Sequence, residues 1–424
     1  MANVTAIIVG AGAAGLAAAL ELAEGGVSVL VLEARPRLGG RILTHRDSRA
    51  VVPVELGAEF IHGKDPDFWE LLQRARLPTD EVTDRHWLRR NSHTEELAGF
   101  WEEMEKIFAQ MDPKQKDQSF CSFLESLANV GAETRQLAID FIEGFDAARP
   151  ERISLHALAR DQELSDNIEG DRAFRISTGY AQLIDWLAAQ LKSRGVAIHC
   201  GTQVKRVRWR KGAVLIEAQT ADGLVDFEAS RAILTLPVGV LKAGDVQFEP
   251  ELREHKQAFE SLEMGQVMKV SLQLRSRLWP EPNEGFIHAP AQTFPTWWTH
   301  PHSNLLTGWV GGPKAERLAG VEEPAILDEA VRSLSAIVHK PEGELREQLD
   351  AVFHHDWSAD PFSRGAYSYV PVGCLPLQRR LAEPVDDTLF VAGEAAALEA
   401  QPGTVHGAIA SGRYAARLAL KLLK

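Results

Sequence analysis

Apolar residues in this chain form short, dense runs near both ends and a sparser helical spacing between them. Thr5-Ala6-Ile7-Ile8-Val9 is unbroken and stops at Gly10, which predicts a strand buried on both faces. Residues 16–23, rich in Ala and Leu, predict a helix that Gly25-Gly26 ends, and residues 27–32 make a second buried strand. The chain therefore opens as a β-α-β unit. From about 65 to 160 the spacing is helical and predicts no strand. A helix over 180–191 leads to a strand at 196–199 and to alternating stretches near 204–209, 213–218 and 224–228. Residues 232–236, ending at Pro237, predict another buried strand, and 266–274 a strand of a second sheet. On its two faces this last strand alternates Val267, Lys269, Ser271 and Gln273 with apolar residues, and a lysine so placed is ordinarily solvated. Residues 280–301 are dotted with proline and predict a loop, 325–338 a helix, and the tail a strand (389–392), a turn and a helix (405–423).

The turn after the first strand carries chemistry. In Gly10-Ala11-Gly12-Ala13-Ala14-Gly15, Gly10 permits a tight turn and Gly12 lets backbone N–H groups approach a pyrophosphate. Gly15 lets helix and strand close on each other, and the helix start at Ala13 and Ala14 offers unpaired N–H groups to phosphate. Glu33 ends the second strand, where it can accept hydrogen bonds from ribose hydroxyls; its charge disfavours a 2′-phosphate. Ala34 and Arg35 follow it. Gly39-Gly40-Arg41 adds small residues and a cation for a second stretch of phosphate. These residues suit a nicotinamide or a flavin dinucleotide. The fold predicted is α/β (α+β): a Rossmann-like dinucleotide domain from 1–64, 166–245 and 356–424, interleaved with a substrate domain of mixed sheet plus helices from 65–165 and 246–355.

Composition narrows the partners. The 424 residues hold 46 basic and 59 acidic side chains, a net charge of −13 that argues against nucleic acid or an anionic membrane as partner. Cys121, Cys200 and Cys374 lie far apart with no CxxC pair, so neither a disulfide framework nor a thiolate metal site is expected. His300-Pro301-His302 and His354-His355 lack a third ligand at helical spacing, and no metal is expected. No leader is expected before the first strand, and no apolar run reaches the ~18 residues of a membrane span. A cytoplasmic protein is expected.

With these residues in place, the chain resembles the flavin amine oxidase family of monoamine oxidases, polyamine oxidases, L-amino-acid oxidases and lysine-specific histone demethylases. The resemblance rests on the glycine motif, the 33–41 block, Glu55-Leu56-Gly57-Ala58-Glu59-Phe60-Ile61-His62-Gly63, and Met268-Lys269-Val270. It continues in Trp357 with Gly365-Ala366-Tyr367, and in Phe390-Val391-Ala392-Gly393-Glu394 with Gly403-Thr404-Val405-His406-Gly407-Ala408. It implies bound FAD, with Gly57, Ala58 and Glu59 running past the flavin and Val204 beside the adenine. Gly393, Glu394, Thr404, Val405 and Ala408 would surround the ribityl chain and ring. Lys269 would hold a water against flavin N5 and assist reoxidation by O2. Tyr367 would form one wall of an aromatic sandwich before the flavin, with Trp357 and His62 also facing substrate. Two departures stand out. Ala366 replaces the cysteine that monoamine oxidases bond to the flavin, which implies noncovalent FAD. Thr404 replaces the second sandwich tyrosine, so that wall is missing or is supplied elsewhere, by Trp297 or Trp298. The implied function is oxidation of a primary or secondary amine, monoamine or polyamine, by hydride transfer from the α-carbon to flavin N5, with O2 as acceptor and H2O2 as product. L-amino-acid oxidation, or an FAD-bearing interaction protein with little oxidase activity, are the alternatives.

Overall fold

A computed structural model describes residues 4–422, apart from 91–92, 98–99, 279–284 and 302. The buried runs assemble into a five-stranded parallel sheet. Its order is Ala197–His199, Val29–Leu32, Ala6–Val9, Arg231–Leu234, Leu389–Val391, so strands from both ends of the chain flank one central strand. Alternation explains why these runs are apolar throughout. Ala6, Ile8, Val29, Val31, Ile233 and Phe390 face a helix layer, while Ile7, Val9, Leu30, Leu32, Leu234 and Val391 face a second sheet. The helix layer comprises Ala13–Glu24, Ala181–Ser193 and Val405–Lys421. The second sheet joins Gly223–Ala229, Ala213–Thr220, Gln203–Arg210 and Gln247–Glu249. Small residues let the first and last helices meet backbone to backbone: a Cβ on Gly412 would lie 2.1 Å from the Ala14 carbonyl oxygen.

The rest of the chain builds a seven-stranded sheet and a helical group. The strand Val267–Leu274 lies inside that sheet between Leu305–Gly311 and Leu349–His354. Its Met268, Val270, Leu272 and Leu274 pack with Ile326, Ala330 and Leu334 of the helix Glu323–Val338. The opposite face carries Lys269, Ser271 and Gln273, all buried, so the solvated lysine that alternation predicts is not found. Ser271 shares a hydrogen bond with Thr307 across the sheet. The helices Phe120–Ser126, Ala132–Phe145 and Leu155–Asp166 close around Phe120, Phe123, Ile142 and Leu158.

Two predictions fail. The 65–160 region contains strands at Thr79–Glu81, His86–Arg90 and His93–Glu96, and the expected loop at 280–301 contains Phe286–His288 and Thr296–Thr299. All but the first extend the seven-stranded sheet, and backbone pairing to existing strands outweighs their polar or proline-interrupted composition. No helix among the described residues is long and apolar enough to cross a membrane. His302 lies outside the described residues.

Candidate active site

One cavity of about 820 Å³ runs from the glycine turn through the seam between the parallel sheet and the seven-stranded sheet. Every residue singled out above for the site lines it except Gly15 and Trp297. Gly15 acts behind the wall, where its missing side chain allows contact: a Cβ there would lie 1.9 Å from the Gly10 carbonyl oxygen. Gly10 itself has φ +105°, a left-handed value that glycine adopts without strain.

At one end the helix Ala13–Glu24 begins with Gly12 as cap and no side chain bonded to its first N–H groups. Gly12, Ala13 and Ala14 line the cavity at this helix start. A Cβ on Gly12 would meet nothing nearer than 4.0 Å, and one on Gly393 (φ +135°) would meet nothing at all within 4 Å. Such a cradle of free N–H groups and empty space at a helix start fits the pyrophosphate of a dinucleotide. Glu33 is buried at the end of its strand and accepts from the backbone N–H of Ala11 (2.7 Å) and Arg35 (2.8 Å). Arg35 grips Asp360 with both terminal nitrogens (2.7 and 2.8 Å) and donates to Ser363. Arg41 joins the two ends of the chain, donating to the Ala366 carbonyl (2.6 Å) and to Glu394 (3.0 Å), whose other oxygen accepts from the Ser368 hydroxyl.

Farther along, Gly57 permits another close approach, because a Cβ there would lie 1.9 Å from the Arg41 carbonyl oxygen and 3.1 Å from the Trp357 ring. Trp357 is nearly buried and spends its N–H on the Leu56 carbonyl. Lys269 is 4% exposed; its Nζ pairs with Glu59 at 2.6 Å and donates to the Gly57 carbonyl at 3.2 Å. Of the two candidate aromatic walls, Trp298 lines the cavity and donates its N–H to Glu59. Trp297 does not: it is fully buried in the core beside Phe294, to whose carbonyl it donates.

The far end is aromatic and acidic. Tyr367 packs on Gly403 and donates to the Phe145 carbonyl at 2.5 Å. Thr404 caps the helix Val405–Lys421, accepting from Gly407 N–H, so its hydroxyl is committed to the backbone. Phe145 ends the helix Ala132–Phe145 and exposes its ring to the cavity, edge-on to His62 (5.3 Å) and parallel to Phe141 (5.1 Å). Burial, then the neighbouring His406, pushes His62 down to about 4, so its imidazole is neutral at neutral pH. Burial, then Asp161, pushes Asp146 up to about 8, and burial pushes Asp161 up to about 6 against the pull of Arg160. Burial, with the charges of Asp146 and Glu394, holds the Tyr367 phenol above its usual range.

Sequence reasoning did not single out Phe145, Asp146, Arg175 or Asp360. Phe145 and Asp146 sit where a helix ends, a position that only tertiary contacts turn toward the cavity. Arg175 lies in the strand Ala173–Ile176 and looks like a surface cation, yet it reaches Glu59.

Comparison with known proteins accords with this geometry. The model of flavin-containing amine oxidoreductases matches residues 13–420. The chain is 31% identical over 436 residues to lysine-specific histone demethylase 1 homolog 2 of Arabidopsis thaliana, covering 96% of this chain and 57% of that protein, so it spans little more than half of that relative. Polyamine oxidase 2 of Arabidopsis thaliana is 29% identical over 448 residues, covering 97% of this chain and 86% of that protein. Cyclohexylamine oxidase from Brevibacterium oxydans IH-35A matches with a TM-score of 0.83 at 21% identity over 100% of both chains. A putrescine oxidase bound to putrescine matches at 0.82 and 22% identity over 100% and 99%. At such identities the structural matches speak for the fold. The chain belongs to the flavin-containing amine oxidoreductase family.

Proposed function

We propose that this chain is an FAD-dependent oxidase of primary or secondary amines, of monoamine or polyamine type. The observation that carries the proposal is one continuous cavity joining the phosphate cradle at Gly10–Ala14 to Lys269, Tyr367 and His62. When bound, FAD supplies the redox chemistry, taking a hydride from the carbon beside nitrogen and giving its electrons to O2 as H2O2. The residues proposed to hold it are those of the cradle, Glu33 at the ribose, Val204 at the adenine, and the 39–41, 57–59, 393–394 and 404–408 segments around the rest. Binding is noncovalent on this reading: none of Cys121, Cys200 and Cys374 lines the cavity, and alanine stands at 366. The same free thiols favour a cytoplasmic setting. The domain division proposed is the one expected from sequence, with the cavity at its seam.

The protein's part is to bind, orient and dry the amine. Tyr367, Phe145 and His62 present ring faces and edges to it, and Lys269 stands in the wall with a donor to spare. Hydride leaves only while the nitrogen lone pair is free, so an amine of ordinary pKa near 10 must shed its proton on entering. Acidic side chains (Asp140, Glu143, Asp161, Asp166 and Glu169) line the cavity and draw cations inward, whereas Asp146, raised to about 8, is mostly uncharged at neutral pH. Amines rather than amino acids are the substrates on this reading, because the arginines among the described lining residues, Arg35 and Arg41, are paired with Asp360 and Glu394, Lys314 with Asp140 and Lys269 with Glu59.

Purified protein should be yellow, and anaerobic addition of monoamines or diamines should bleach it, with peroxide formed on readmitting air. Each amine tested beside its parent amino acid separates the two oxidase readings. Bound flavin that no amine reduces would leave the interaction-protein reading and overturn this one.

A further inference from the structure

Lys269 does not stand in the wall alone. Glu59, 5% exposed, accepts from Lys269 Nζ on Oε2 at 2.6 Å. Its Oε1 accepts from Arg175 Nε at 2.8 Å and from the Trp298 indole N–H at 2.9 Å, with His300 Nε2 at 3.4 Å. Burial by itself would raise this carboxyl, but Lys269 and Arg175 hold it well below the usual carboxylate range. Burial pushes His300 down to about 3, so it adds no charge at neutral pH. Glu55, the other carboxyl in electrostatic reach of Lys269, is pushed up to about 7 by burial and accepts from the Tyr180 N–H and the Thr44 hydroxyl. At about pH 6, where Glu55 is mostly protonated, two cations and the Glu59 carboxylate thus leave one net positive charge beside the cavity.

We propose that Glu59 is the positioning residue of Lys269, fixing both where its ammonium points and how much net charge this wall presents to the flavin. The proposal rests on the FAD reading above. An ammonium has three donors. Glu59 and the Gly57 carbonyl take two, which leaves one for the cavity, and the ammonium lies 5.5 Å over the Trp298 ring. Without the carboxylate the side chain would lose the anchor that directs that third donor. The wall would also hold two uncompensated cations.

Charge counting makes this testable by a quantity other than turnover, the midpoint potential of bound FAD. Net wall charge is +1 in the wild type, +2 in Glu59→Gln, 0 in Lys269→Met and +1 in the double variant. Positive charge favours the electron-rich reduced flavin. The expected order of potentials at about pH 6, with Glu55 protonated, is therefore Glu59→Gln highest, wild type and double variant together, Lys269→Met lowest. Glu59→Asp keeps the charge but shortens the anchor, so its potential should match wild type. Its reoxidation by O2 should slow on the order of tenfold, the scale on which a supporting group acts through the one it orients. If Glu59→Gln does not fold, the potentials of Lys269→Met and the double variant must still differ by the charge that Glu59 carries. Equal potentials in those two, or wild-type reoxidation in Glu59→Asp, would overturn the proposal. Wild-type protein that binds no flavin would sink the cofactor reading and this role with it.

Discussion

Gly15 offers a sharp test, because it touches no part of the cavity yet holds the cradle in shape. In Gly15→Ala the new methyl carbon would lie 1.9 Å from the Gly10 carbonyl oxygen and 3.0 Å from Thr235 Oγ1. Carbon and oxygen in contact need about 3.3 Å, so about 1.4 Å must open between helix and strand. Gly10 cannot easily yield, since its φ of +105° already fixes the turn and its own side adjoins Thr235. The helix start must then swing, taking with it the N–H groups aimed at the phosphates. Overpacking of this kind costs about 1–3 kcal/mol. If that falls on cofactor binding, at about 1.4 kcal/mol per tenfold, the Kd for FAD rises about 5- to 150-fold. The assay is titration of apoprotein with FAD, followed by flavin fluorescence, beside the melting temperature. Gly343→Ala is the control: it lies in the helix Glu342–Gln348 with open space around its Cβ, and should leave FAD affinity unchanged. Wild-type FAD affinity in Gly15→Ala would refute the packing argument.

Arg35→Met should lower stability to urea by about 3–5 kcal/mol, since it strands the buried Asp360 carboxylate. Burial would raise the Asp360 carboxyl, but His355 and Arg35 hold it well below 3.8, so its stabilisation is present above that pH and lost on further acidification; the gap between variant and wild type should narrow progressively as the pH falls below about 4. Asp146 has the opposite sign: a carboxyl raised from 3.8 to about 8 makes folding less favourable as pH climbs between those values. Asp146→Asn should therefore melt close to wild type at about pH 4 and higher than wild type at about pH 9, and an equal offset at both would contradict this. Tyr367→Leu should raise the KM for amines about 2- to 30-fold, from the loss of about 0.5–2 kcal/mol of attraction between the ring and the arriving ammonium form before it sheds its proton, while Tyr367→Phe keeps the ring and should stay near wild type.

The parts of the fold that sequence made legible are those where local chemistry and global role coincide. Runs such as Ala6–Val9 and Arg231–Leu234 are apolar because both faces of a central parallel strand are buried, and Gly10, with its positive φ, is required by the turn itself. Strands such as His93–Glu96 escaped because backbone pairing, with no apolar signature, recruits them to a sheet. Trp297 and Trp298 are adjacent and alike in sequence, yet strand alternation sends one into the core and the other to the cavity. Lys269 shows the limit most clearly. Its burial depends on Glu59 and Arg175, distant in sequence, and pattern alone gives the ordinary surface lysine.

The contact of Gly412 with Ala14 ties the order of synthesis to cofactor retention. A ribosome delivers the nucleotide cradle first, while its lower wall, from Leu389 onward, emerges at the very end. Until the last helix docks, the first helix lacks its backbone-to-backbone neighbour and the Arg41–Glu394 clasp has no second jaw. Chains interrupted anywhere before residue 412 would thus keep a recognisable Gly-rich signature and lose the ability to hold the prosthetic group, so colour reports that translation ran through the terminal helix.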